Sequence, residues 1–350
     1  MKFASYKMLA VALAVLAVSF LTNAFAVNSS ADDQTQSRPQ LPKPKHPDSK
    51  EQEPQDDPGG SIRLGTALVV LDVTVVDQSN NPVMDLAQSN FQVFEDKVPQ
   101  EIKFFGREQI PVSLVFTIDT SGSMRSKLDT VIKASSNLVK ESKPDDEMAI
   151  IEFKEQPELL EEFTSDTQDV IDTLQSLVAS SQTAMLDALY IGADYASKEA
   201  KNRRKAVIMV TDGLDKDSYY KFNEVVEHLR EADVQVYLIG FTNDLDKDSS
   251  LFSKSPKTKA EGLLTKLAEE TGGRAFFPKE LSETHAIAQQ ISTDLRTQYS
   301  IGYYPTNSKK DGTFRSVKVQ VSAGNRRIVA RTRNGYTAPR EGEQHSSVNK

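Results

Sequence analysis

The sequence has 350 residues, 26% of them charged, a formal net charge of −8 and no cysteine, so it is long enough for one large domain and a smaller one. The lack of cysteine excludes disulfides, thiolate metal sites, a cysteine nucleophile and a lipidated cysteine. The excess of acid argues against a phosphate-backbone partner, so no nucleic acid is expected to bind.

Lys2 and Lys7 flank the start of a mostly apolar run over 8–21, and Ala24-Phe25-Ala26 places small residues at the two positions a signal peptidase reads. Residues 1–26 are therefore expected to be a signal peptide. The mature chain is then exported, periplasmic or secreted, and losing two lysines and no acids takes its net charge from −8 to −10. The strictly apolar part is shorter than the ~20 residues that span a bilayer, and no membrane span is expected after cleavage. Residues 27–60 hold six prolines and no aromatic residue, the composition of a disordered linker.

From residue 66 the pattern turns to β. Branched residues over 67–76, a turn at Asn80-Asn81-Pro82, and short runs over 91–95 and 101–105 predict three strands, too few for an independent core. From 110 to 297 strand-like runs alternate with helical spacing, which predicts an α/β domain: a doubly wound, mostly parallel sheet flanked by helices. Strands are expected over 113–119, 148–153, 206–212 and 234–241, with an edge strand near 159–163. Helices are expected over 127–141, 167–178, 184–201, 222–232, 263–270 and 281–296, with Thr271-Gly272-Gly273 stopping the fifth. Strands return over 299–304, 317–321 and 327–331. The expected solution is one small β-sandwich in which 298–338 pairs with 61–109, the α/β domain being inserted between them, and 339–350 forming a disordered tail.

Two apolar runs end in carboxylates: Leu114-Val115-Phe116-Thr117-Ile118 leads into Asp119, and Val207-Ile208-Met209-Val210-Thr211 into Asp212. Both positions lie where open parallel sheets bind ligands, beyond the carboxyl ends of their strands. Two acids there repel unless a positive charge lies between them. Ser121 and Ser123 add hydroxyls two and four residues past Asp119, an all-oxygen set suited to a hard cation such as Mg²⁺, with Mn²⁺ and Ca²⁺ as alternatives. Read alone, Asp-x-Ser-x-Ser is more often a helix N-cap than a metal site.

Asp119-Thr120-Ser121-Gly122-Ser123 resembles the Asp-x-Ser-x-Ser element of the metal-ion-dependent adhesion site in von Willebrand factor A domains. Thr183, before a long helix, and Asp212, in Thr211-Asp212-Gly213, are similar to that site's later elements and stand in the same order. The resemblance covers about residues 110–298. It implies a single divalent ion held by Asp119, Ser121, Ser123, Thr183 and Asp212, and a protein partner whose Asp or Glu carboxylate completes the shell. The sequence departs from the family at Ser181-Gln182, where glycines commonly precede the threonine. The flanks, Leu86 to Asp96 and Gln298 to Pro305, resemble those of secreted bacterial proteins carrying this domain.

Asp187, near Thr183, reads equally as a residue supporting the ligands from behind or as a helix-surface acid favoured by the dipole of a helix start, and Asp215 and Asp217 read as solvated loop residues in preference to an acidic rim of the site. Enzyme readings find little support: His46, His228, His285 and His345 are not placed to pair with a serine nucleophile, and no Gly-x-Ser-x-Gly elbow or phosphate-binding glycine loop occurs. A non-enzymatic binding module is the leading expectation. An envelope scaffold with an incidental or empty metal site is the alternative.

Overall fold

The computed structural model describes residues 68–107, 109–180, 182–246 and 255–341; the expected signal peptide and linker lie outside them. The first strands are β1 (Val69–Asp77), β2 (Phe91–Glu95), β3 (Val98–Gln100) and β4 (Ile102–Gly106). The chain then enters the alternating region: β5 (Val112–Asp119), α1 (Leu128–Lys140), β6 (Glu147–Phe153), β7 (Pro157–Thr164), α2 (Thr167–Gln175), α3 (Met185–Glu199) and β8 (Arg204–Thr211). It continues through α4 (Phe222–Ala232), β9 (Gln235–Gly240), α5 (Pro256–Glu270), β10 (Arg274–Phe276) and α6 (Thr284–Arg296). The last strands are β11 (Gln298–Tyr303), β12 (Phe314–Val321), β13 (Ile328–Arg331) and β14 (Gly335–Thr337).

The central sheet has the order β10-β9-β8-β5-β6-β7 and is parallel except for β7 at its edge. Every residue of β5 is buried, as strands covered on both faces require. Leu114, Phe116 and Ile118 point into a core shared with Val131, Leu138 and Ile291 of α1 and α6. Val115, on the opposite face, joins Leu189, Val225 and Leu267 of α3, α4 and α5, the two-residue period of a strand dividing its side chains between two helical layers.

Helix α5 starts seven residues before its expected position. Ser255 Oγ accepts the Thr258 amide at 3.1 Å and Pro256 takes the first helical position, a cap and a pre-set φ together. At its other end Gly272 has φ +78°, and a Cβ there would lie 2.4 Å from the carbonyl carbon of Thr332.

The flanking strands form two antiparallel sheets, β13-β1-β11-β4 and β14-β12-β2-β3. Each mixes strands from both ends of the chain: Thr74 of β1 pairs with Gln298 of β11, and Val93 of β2 with Val319 of β12. Between them Leu71, Val73, Phe91, Val93, Tyr299 and Ile301 are buried in a third core. The Tyr299 ring lies 4.9 Å from that of Phe91, and its hydroxyl donates to the Val83 carbonyl at 2.9 Å. The segment expected to be a tail from 339 begins attached instead, since Arg340 bridges to Asp311 and the Glu341 amide donates to the Lys310 carbonyl.

Only Thr297 separates α6 from β11, and the joint around it is polar and buried. Arg204, at the amino end of β8, donates to the Leu295 carbonyl at 2.9 Å and to Asp72 Oδ1 at 3.2 Å. Arg203 adds a 3.1 Å bond to the same carboxylate oxygen, and Gln298 Nε2 donates to Gln235 Oε1 at 2.8 Å. The sandwich therefore meets the amino ends of β8 and β9 and leaves the carboxyl ends of the central strands uncovered by it.

Candidate metal centre

At those carboxyl ends the structure brings the five expected residues onto neighbouring loops. Asp119 closes β5, and Asp212 follows the last residue of β8. Asp119, Ser121, Thr183 and Asp212 are all buried, while Ser123 is exposed, so the crevice opens to solvent on the Ser123 side.

Asp119 is held from two directions. Its Oδ1 accepts the Ser121 amide at 2.9 Å, and its Oδ2 accepts the Thr211 hydroxyl at 2.7 Å. Ser121 then opens a single turn of 3-10 helix over Gly122–Met124, with the Met124 side chain buried beneath it. That turn sets the Ser121 and Ser123 hydroxyl oxygens 3.1 Å apart. On the other side Asp212 Oδ1 accepts the Leu214 amide at 3.0 Å, and the Thr183 hydroxyl lies 3.5 Å from the Leu214 carbonyl. Leu214 thereby joins the threonine loop to the second aspartate.

Burial pushes the Asp119 carboxyl up to about 6, and the charge of Asp212 adds to that rise against hydrogen bonds from Ser121 and Thr211. A second anion facing a dehydrated carboxylate is the electrostatic condition that a cation relieves. The donor chemistry fits one: every candidate ligand is an oxygen, and neighbouring ligands of an octahedron with ~2.1 Å bonds stand about 3 Å apart, the spacing of the two serine hydroxyls. Among the described residues no group of three or more histidine or carboxylate side chains is arranged to hold a metal, so a cation in this crevice depends on hydroxyls.

Three supporting residues lie outside the expected ligand set, and of these only Glu152 escapes the sequence reading. Glu152, near the end of β6, accepts the Thr120 hydroxyl and the Lys154 ammonium, each at 3.0 Å, fixing the residue between Asp119 and Ser121. The legible trace of this role is a second glutamate near the end of a strand that is apolar between Glu147 and Glu152. Asp187, in the first turn of α3, is buried and accepts the amides of Tyr219 and Tyr220. Asp215, exposed as the loop reading expects, accepts from Leu186 and Ser218, so the two acids together brace the loop after Asp212.

A protein of Synechocystis sp., described as uncharacterized protein sll0103, is 25% identical over 147 residues, which are 40% of this chain and 34% of that protein; the chain spans about a third of that relative. BatB from Bacteroides thetaiotaomicron is 22% identical, aligned over 53% of this chain and 100% of its own, with a TM-score of 0.41. The vWF domain of the type V pili tip protein Mfa5 from Porphyromonas gingivalis is 14% identical over 53% of this chain and 97% of its own, at a TM-score of 0.42. Proximal thread matrix protein 1 from the mussel byssus, solved with a zinc-occupied MIDAS motif, is 18% identical over 57% of this chain and 49% of its own, with a TM-score of 0.42. The family model of the von Willebrand factor type A domain matches residues 113–290, about half of the sequence and the whole span from β5 into α6. The chain belongs to the von Willebrand factor type A domain family.

Proposed function

We propose that the protein is an exported, non-enzymatic binding module whose crevice holds one divalent cation, Mg²⁺ or alternatively Mn²⁺ or Ca²⁺, on Asp119, Ser121, Ser123, Thr183 and Asp212. What supports this reading is that Asp119, Ser121, Thr183 and Asp212 are buried on loops at the carboxyl ends of the central strands, with the Ser121 and Ser123 oxygens 3.1 Å apart, an octahedral-edge spacing. When bound, the ion supplies an electrophilic position that a partner's Asp or Glu carboxylate completes. Asp119 supplies an anionic ligand and is oriented by Thr211 and Ser121. Ser123, as the exposed member, borders the path by which a partner side chain enters. Export is supported by the leading Lys2 and Lys7, the apolar run over 8–21 and the Ala24-Phe25-Ala26 segment, and among the described residues no helix is long and apolar enough to cross a membrane.

The test is partner capture from an envelope extract with and without chelator, with Asp119→Ala as control. Capture that needs a divalent ion and is lost in the variant supports the reading. Capture indifferent to both overturns it and favours a scaffold that does not use the crevice.

A further inference from the structure

The loop that follows Asp212 and the start of α3, which follows Thr183, cap one another. The carbonyl of Thr183 accepts the amides of Lys216 at 3.1 Å and Asp217 at 3.2 Å. The first amides of a helix have no partner within it and are ordinarily satisfied by the residue just before it, but Ala184 stands at that position in α3 and has no side-chain acceptor. The amides of Leu186 and Asp187 instead donate to Ser218 Oγ at 3.0 and 3.2 Å, and Leu186 also reaches Asp215 Oδ1 at 3.3 Å. In the other direction the Asp187 carboxylate accepts Tyr219 N–H on one oxygen at 3.0 Å and Tyr220 N–H on the other at 2.9 Å. Partners about thirty residues apart do here what a capping box does within one turn.

We infer that Asp187 is a positioning residue, which locks the 213–220 loop to the start of α3 so that the Thr183 hydroxyl and the Asp212 carboxylate are presented to the crevice as one rigid body. Two features favour this role over that of a helix-surface acid. Asp187 is 6% exposed, so the macrodipole alone does not account for burying it. Its two oxygens are each committed to a separate backbone amide of the same loop, an arrangement that asparagine reproduces by half and alanine not at all. Fixing a ligand loop from behind strengthens metal binding without touching metal, because less order remains to be imposed when the ion arrives.

The effect on metal affinity rests on the proposed metal centre; the coupling of the two loops does not. The experiment therefore has two readouts on the full chain: amide hydrogen exchange without added metal, and calorimetric titration with Mg²⁺ and Mn²⁺. In Asp187→Ala the amides of Lys216, Asp217 and Leu186 are expected to lose protection together with those of Tyr219 and Tyr220, while amides of β5 and β8 keep theirs. Metal affinity is expected to fall on the order of 10- to 100-fold. Asp187→Asn is expected to lie between wild type and alanine in both readouts, and it decides the matter if the alanine variant fails to fold. Faster exchange confined to Tyr219 and Tyr220, with Leu186, Lys216 and Asp217 at wild-type protection, overturns the inference. So does a folded Asp187→Ala variant that exchanges as wild type or binds metal as tightly. If wild type binds neither ion, the metal-centre reading fails alone and the exchange pattern still decides the coupling.

Discussion

The Thr211 hydroxyl donates to Asp119 Oδ2 over 2.7 Å, so the residue that ends β8 holds the carboxylate that ends β5. Two adjacent parallel strands thus share one hydrogen bond at the floor of the crevice. The same Thr211 oxygen accepts the Gly213 amide at 3.1 Å, which ties the turn after Asp212 to the orientation of Asp119.

That bond separates two substitutions at Asp119. Asp119→Asn should abolish Mg²⁺ and Mn²⁺ binding by calorimetry, since it removes the anion that offsets dehydration of a hard cation. It should leave the cation-free protein at least as stable, because the repulsion from Asp212 is gone and an oxygen acceptor remains. Asp119→Ala should abolish binding equally but cost about 1–3 kcal/mol, because the Thr211 hydroxyl and the Ser121 amide both lose their buried acceptor. Unchanged metal binding in either folded variant refutes the ligand assignment.

Ser123→Ala should weaken metal binding less than either change. Ser123 is neutral and exposed, so a water can occupy the position its hydroxyl leaves. Ser121→Ala, at a buried site where the oxygen is harder to replace, should be the more damaging of the two. Equal losses in parallel titrations would show that exposure does not govern the contribution of each hydroxyl.

Asp72 gives the joint between sandwich and central domain an acid limit. Against burial, which raises it, the Arg204 and Arg203 guanidiniums hold its carboxyl below the ordinary value of 3.8. Arg204 is itself lowered by burial, but an arginine stays charged throughout the acid range, so Asp72 is the member of the cluster that titrates there. With the folded value depressed, its stabilisation is complete above 3.8 and is lost as pH falls through the lower folded value. Thermal melts between about pH 5 and pH 2 should show a loss of stability that is smaller in Asp72→Asn. Asp72→Ala at neutral pH should cost about 3 kcal/mol, the scale for leaving a buried partner charge uncompensated.

Gly272→Ala should destabilise the protein by about 1–3 kcal/mol. The positive φ disfavours any side chain, and the added Cβ meets the backbone of Thr332 and Arg333. Gly262, on α5, has nothing within 4 Å of an added Cβ, so Gly262→Ala should be neutral or stabilising. Reversed signs in chemical denaturation would show that α5 does not stop against the 332–333 segment.

The long elements are legible because a period repeats within them. β5 is an apolar run broken only by Ser113 and Thr117 before Asp119, and α4 shows its buried Val225, Val226, Leu229 and Ala232 at helical spacing. Strands β3, β10 and β14 have three residues each, too few to display any alternation; they form because a neighbouring strand offers a free edge. An expected start of α5 at 263 passes over Ser255-Pro256, since only Ala260 among its first seven residues is buried. At the crevice, Asp119, Ser121 and Ser123 are contiguous and readable as a motif. Asp187 acts on amides 32 and 33 residues away, a relationship that local spacing does not encode.

The register that sets Thr74 of β1 opposite Gln298 of β11 spans 224 residues of chain, and it dictates an order of events during synthesis. β1 emerges first as an apolar strand whose neighbours on both sides, β11 and β13, come from the far end of the sequence. Closing so long a flexible loop carries an entropic cost that grows with its length. Folding of the intervening α/β domain shortens that loop, since its first and last segments, β5 and α6, pack in one core. The domain that carries the crevice therefore acts first as the scaffold on which its own flanks assemble, and until β11 appears the nascent chain holds an unpaired strand that must be kept from other chains.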